Sequence, residues 1–206
     1  MVETILLASS SLRRREILKD FGIPFLGIDP NIDENAHDGA PPTCRVLEIA
    51  KDKARAASIR TEASPFRLIL AADTLVCIPA GMNEEERVLG KPENREEAKK
   101  MICLLSGRQH FVYTGLALLD KTKGILRVAR SDSRVLFSEI SEKECEEYLN
   151  TDEWKGAAGS YKIQGFAACY IQEIIGSWSG IVGLPIRELY GILKQSGYDF
   201  RYFSKA

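Results

Sequence analysis

A short apolar run that passes through hydroxyl residues straight into a helix pattern constrains this chain more than any other stretch. Ile5-Leu6-Leu7-Ala8 has the composition of a buried strand. Ser9-Ser10-Ser11 follows, and Ile17, Leu18 and Phe21 then recur at helical spacing. Gly22 stands where a glycine closes a helix. The start of that helix is unusual. Arg13, Arg14 and Arg15 fill its first turn, where the dipole is already positive and free N–H groups point outward. Each cation is disfavoured there by a few tenths of a kcal/mol, on the order of the dipole contribution. An anion reverses the sign, because hydroxyls, free amides and guanidinium groups at one helix N-terminus make a phosphate site. A solvated basic turn is the alternative, and the arginines alone do not separate the two.

Composition narrows the choice. The chain has 206 residues, enough for one domain with a real core, and is read as a single domain over 1–206. A net charge of −1 argues against a broad nucleic-acid-binding surface, so any anion site must be local. The five cysteines are scattered, odd in number and form no CxxC pair, as expected in a reducing compartment without a zinc site of usual spacing. No basic start precedes a signal-like apolar segment, and no apolar run reaches membrane-spanning length. The expectation is a soluble cytoplasmic protein without a nucleic-acid or membrane partner.

Further along, Pro24–Ile28 reads as a second strand, and Asp29–Gly39 as an acidic, turn-rich loop. Folded over the arginine turn, Glu34 or Asp33 would supply the hard oxygen ligands that Mg²⁺ requires. Thr43 to about Arg60 carries a helical apolar face of Val46, Ile49, Ala50, Ala54 and Ala57, with Lys53 on that same face. Such a lysine either snorkels to the edge or meets an anion. Leu68–Ala72 is a continuous apolar run, as in a strand covered on both faces, and Asp73 and Thr74 are expected at its C-terminal end, where α/β folds open onto a ligand; Leu75–Ile78 continues the strand pattern, so a turn at Asp73 is the weaker reading. A carboxylate there suits a general base or a metal ligand.

Pro79 to Arg87 reads as an exposed hairpin. Pro92 bars helix at Lys91, and Asn94 and Ser141 open capped helices. Strands are expected at Phe111–Leu119, Ile125–Phe137 and Phe166–Ile175. A turn is expected at Gly176–Gly180, and a last helix with Ile186, Leu189, Tyr190 and Leu193 as its stripe. Gln164, between Ile163 and Gly165, both donates and accepts and so suits the edge of a nucleobase.

Taken in order, these segments resemble the Maf family of nucleoside triphosphate pyrophosphatases. The resemblance is carried by Leu7-Ala-Ser-Ser-Ser-Leu-Arg13-Arg14, Asp33-Glu34, Lys53, Ala72-Asp73-Thr74, Gly90-Lys91-Pro92, Leu105 to His110, Val112-Tyr-Thr-Gly115, Ile163-Gln164-Gly165 and Gly183-Leu184-Pro185. It implies an α/β fold like the inosine-triphosphate pyrophosphatases: a central mixed sheet with flanking helices, two lobes around a deep cleft, and often a homodimer. It implies hydrolysis of a nucleoside triphosphate substrate between its α and β phosphates, with a divalent metal, Mg²⁺ or Mn²⁺. In that scheme Asp73, Lys53, Lys91 and Glu34 are catalytic, with Asp73 and Glu34 on the metal. Ser9, Arg13, Arg14, Thr74 and Gln164 bind substrate. Glutamine at 164, with Gly176-Ser177-Trp178, resembles the dTTP and UTP enzymes, whereas Lys162 resembles the 7-methyl-GTP type. A nucleotide-binding regulator without turnover is the reading from another class.

Overall fold

The structure, a computed structural model, describes residues 3–60, 65–80 and 86–200. Among them lie β1 (Ile5–Ala8), α1 (Leu12–Asp20), β2 (Phe25–Ile28), α2 (Pro42–Arg60), β3 (Leu68–Ile78), β4 (Arg87–Leu89) and α3 (Arg95–Leu105). These are followed by β5 (Gln109–Asp120), β6 (Ile125–Phe137), α4 (Glu142–Leu149), β7 (Ile171–Ile175), α5 (Trp178–Val182) and α6 (Ile186–Gln195). The strands form one mixed sheet in the order β2-β1-β3-β5-β6-β7, with β4 attached to β3. β1 is parallel to both β2 and β3, while β4 on β3 and β7 on β6 are antiparallel.

The chain divides into two compact units: Met1–Asp73, Thr114–Ser131 and Gly183–Ala206 in the first, Thr74–Tyr113 and Asp132–Val182 in the second. In the first unit the alternation along β3 decides what covers each face. Leu68, Leu70 and Ala72 join Ile5 and Leu7 under Leu18 of α1 and Leu189, Ile192 and Leu193 of α6. Ile69 and Ala71 join Leu6 and Ala8 on the opposite face, against Ala50, Ala54 and Ala57 of α2. Both faces are dry, which is why the run is apolar throughout. The alanines let α2 lie close to the strands. On β5, a Cβ added at Gly115 would run into the Val46 carbonyl. Helix α1 ends in a Schellman motif. Gly22 N–H donates to the Lys19 carbonyl and Ile23 N–H to that of Leu18, with Gly22 at φ +63°.

The second unit packs Val76, Ile78, Ile102, Leu105, Phe137, Tyr148, Trp154 and Tyr161 into its own core. Asn94 caps α3 by accepting from Glu97 N–H at 2.9 Å, and α4 carries a full capping box between Ser141 and Glu144. On α3 the return arm differs from the expected box, because Glu97 accepts from Glu93 N–H instead.

Several expectations are corrected. Asp73 and Thr74 do not stand at the C-terminal end of a strand: β3 runs on to Ile78, as the apolar Leu75–Ile78 implies, and Val76–Ile78 gain β4 as a partner. Asp73 and Thr74 are therefore mid-strand residues. Phe166–Tyr170 is a 3₁₀ turn rather than strand; its Phe166 and Tyr170 rings meet edge to face, and β7 starts at Ile171. Trp178–Val182 is a short helix rather than a turn, with Gly180 N–H donating to Ser177 Oγ. In α6, Ile192 is buried and Tyr190 is turned outward. The hairpin read at 79–87 does return as β4, but residues 81–85 lie outside the described residues.

Candidate active site

Asp73 follows Ile69 and Ala71 on the face of β3 that α2 covers. Lys53 lies among the buried residues of α2, one turn from Ile49, Ala50 and Ala57. Strand and helix thus bring the two together, and Lys53 Nζ donates to Asp73 Oδ1 at 2.7 Å. Both side chains are less than one-tenth exposed. The same ammonium meets Glu34 Oε1 at 2.6 Å, so the loop before α2 supplies a second carboxylate. Of the two acidic loop residues considered, Glu34 is the one that arrives. Asp33 is exposed and accepts from Asn35 N–H in a local turn.

Of the three arginines in the first turn of α1, Arg14 is buried. Its Nε donates to the Gly183 carbonyl at 2.8 Å and its Nη1 to Ser9 Oγ at 3.0 Å. Burial lowers the Arg14 pKa from its ordinary value. The nearby Asp73 opposes that shift, Arg13 adds to it, and Glu34 again opposes it. Arg13 is half-buried, and loss of hydration lowers its pKa against the pull of Glu16. Arg15 lays its guanidinium over Gly27 of β2, with Nη2 donating to the Ser9 carbonyl at 3.4 Å. The basic turn is therefore not simply solvated. Ser9, Arg13, Arg14, Glu34, Lys53 and Asp73 form one cluster inside the first unit.

The other sequence-derived candidates belong to the second unit. Thr74 is half-buried and emerges from β3 on the face opposite Asp73. Lys91 is exposed just beyond β4. Gln164 is exposed on a turn closed by Gly165 N–H donating to the Lys162 carbonyl. Glu153 holds that turn by accepting from Phe166 N–H at 2.8 Å, and a Cβ at Gly165 would fall on its carboxylate. Nothing in the sequence marks Glu153: it is one half-buried acid eleven residues before Gln164, outside any helix.

The donor set fits a hard divalent cation. Asp73 and Glu34 both direct oxygens at one point, now bridged by the Lys53 ammonium, and Mg²⁺ needs only one or two carboxylates beside water and phosphate. Chemically, the cluster offers carboxylates able to take a proton and cations able to neutralise phosphate oxygens.

A strand–hydroxyl–helix opening with a buried arginine, a helix lysine and a strand aspartate defines a class that sequence comparison then names. The family model described as Maf-like protein matches residues 4–196. The chain belongs to the Maf family. A protein of Treponema denticola named dTTP/UTP pyrophosphatase is 42% identical over 200 residues, spanning 96% of this chain and 98% of its own. One of the same name from Pelotomaculum thermopropionicum is 39% identical over 198 residues, spanning 96% and 99%. Among solved structures, the Staphylococcus aureus Ham1 protein aligns over 94% of this chain and 97% of its own, with 14% identity and a TM-score of 0.49.

Proposed function

We propose that this chain hydrolyses dTTP and UTP to the nucleoside monophosphate and pyrophosphate, with its chemistry in the cluster around Lys53. The observation that carries the reading is the Lys53 ammonium shared by Glu34 and Asp73 beside the buried Arg14. The relatives' common name supplies the substrates.

In this reading Arg14 and Arg13 bind phosphate oxygens at the N-terminus of α1, where the amides add to the positive field. Ser9, already fixed by Arg14, donates a shorter hydrogen bond. Lys53 neutralises charge that grows on the leaving pyrophosphate. Asp73 takes the proton from the attacking water. Glu34 and Asp73 would hold Mg²⁺ or Mn²⁺, which supplies polarisation of phosphate and water. Lys91 adds a further cation for the phosphates, Thr74 a hydroxyl, and Gln164 reads the pyrimidine edge.

A nucleotide panel scored for pyrophosphate tests this. dTTP and UTP are expected to be turned over fastest. Asp73→Asn should cut kcat by about 10²-fold or more while nucleotide binding persists. Preference for 7-methyl-GTP would overturn the base assignment. Binding without turnover in the wild type would favour a regulator, and an unchanged rate in Asp73→Asn would remove Asp73 from the mechanism.

A further inference from the structure

Glu34 lies in a segment with neither strand nor helix to hold it. Its local hydrogen bonds, Asn35 N–H to Asp33 Oδ1, Asp38 N–H to the Asn35 carbonyl and Ala40 N–H to that of His37, give the segment a shape but not a location. Location comes from α2. His37 Nε2 pairs with Asp52 Oδ2 at 2.7 Å. Arg45 pairs with the Asp38 carboxylate and donates from Nη2 to the Glu34 carbonyl at 3.3 Å. Arg60 Nη1 donates to the Asp29 carbonyl at 2.6 Å.

Arg45 and Asp52 are seven residues apart, two helical turns, and so share one side of α2. Lys53 is the residue after Asp52. The helix that carries the ammonium therefore also holds the loop that brings the carboxylate to it. Apolar burial contributes only at the start: Pro30 is buried and Ile32 half-buried, whereas from Asp33 to Gly39 the one apolar residue, Ala36, is exposed. Fixing a backbone of this kind costs about 1–2 kcal/mol per residue. Without the ties to α2, the Glu34 carboxylate's own interactions and the partial apolar burial of the segment would have to offset that.

We propose that His37, through Asp52, is a positioning residue for Glu34: it fixes the 33–40 turn on α2 so that the Glu34 carboxylate reaches the Lys53–Asp73 pair. The proposal rests on the assignment of Glu34 to the active site. His37 touches no reacting group in this scheme. It acts by making one geometry of the loop prevalent, and Arg45 shares the task at the other end of the turn.

The test is pyrophosphate release from dTTP by the wild type, His37→Ala, His37→Gln, Glu34→Gln and the His37→Ala/Glu34→Gln double variant, each checked by urea unfolding. His37→Ala is expected to lower kcat/KM by about tenfold or more, as misplacement of a catalytic group does. His37→Gln, whose amide nitrogen can take the place of Nε2, should restore most of that loss. In the Glu34→Gln background, removing His37 should cost nothing further. Losses that multiply in the double variant, a full rate in His37→Ala, or no rescue by glutamine would overturn the positioning role and leave Glu34 in the site. A full rate in Glu34→Gln would overturn the Glu34 assignment and the positioning role with it.

Discussion

A buried ammonium loses the hydration that stabilises it in water and must recover it from the protein. Lys53 does so from two carboxylates, one on a neighbouring strand and one on a loop. Its position among apolar helix residues was legible in the sequence, since Ile49, Ala50 and Ala57 flank it at three and four residues. Its partners were legible only as candidates, because nothing local separates Asp33 from Glu34.

His110 is the second buried ionisable group of note, with Nε2 at 2.8 Å from the Tyr161 hydroxyl and edge-to-face contact with Phe137. Loss of hydration pushes its pKa from 6.5 down to about 4. The folded state thus binds the proton less readily than the unfolded chain. Its contribution is present in full above pH 6.5 and is lost as pH falls toward about 4. The shift corresponds to about 3 kcal/mol at most. Urea unfolding at pH 4.5 and 7.5 should show a larger pH difference for the wild type than for His110→Gln. Equal differences would mean that His110 ionises alike in both states.

Among elements, those whose own pattern is complete were foreseen. Helix α1 is closed by Gly22, α4 starts at a capping box, and α2 carries an apolar face with Lys53 set in it. Those decided by distant partners were not. The 166–170 segment reads as strand but forms a 3₁₀ turn, tied to distant partners by Phe166 N–H donating to Glu153 and the Tyr170 hydroxyl donating to the Glu144 carbonyl. The link between the 33–40 turn and α2 was invisible for the same reason, since His37 and Asp52 are fifteen residues apart and belong to no shared pattern. Gly115 shows how close the α2–β5 approach is. Alanine there has no space beside the Val46 carbonyl. Gly115→Ala should destabilise the protein by about 1–3 kcal/mol, the usual cost of overpacking, seen as a lower urea midpoint. A midpoint equal to wild type would mean that α2 can move away without loss.

For the molecule as a whole, Arg67 joins segments that are far apart in the sequence. Nε and Nη2 donate to the Glu3 carboxylate at 2.6 and 2.9 Å, and Nη1 donates to Asp120 Oδ2 at 2.6 Å and to the Ser196 carbonyl at 3.1 Å. The Asp120 side chain is fully covered, so removing its cation leaves a buried charge supported only by the Thr122 and Lys123 hydrogen bonds to Oδ1. Arg67→Met should cost about 2 kcal/mol, less than a wholly buried pair because Arg67 itself is part-exposed. Thermal unfolding at low and high salt measures it, and a change below the resolution of that method would show that water replaces the guanidinium. No periodicity announces such a residue.

The order in which a ribosome releases the chain has a bearing on Arg14. Its guanidinium donates to a serine five residues upstream and also to the carbonyl of Gly183, near the far end of the chain. Compact units generally form as their chain emerges, but here the first unit has to wait while the second is synthesised in between. Until residue 183 has been made, the nascent protein carries a cation with one of its acceptors still unborn, so this corner of the first unit is among the last parts to mature.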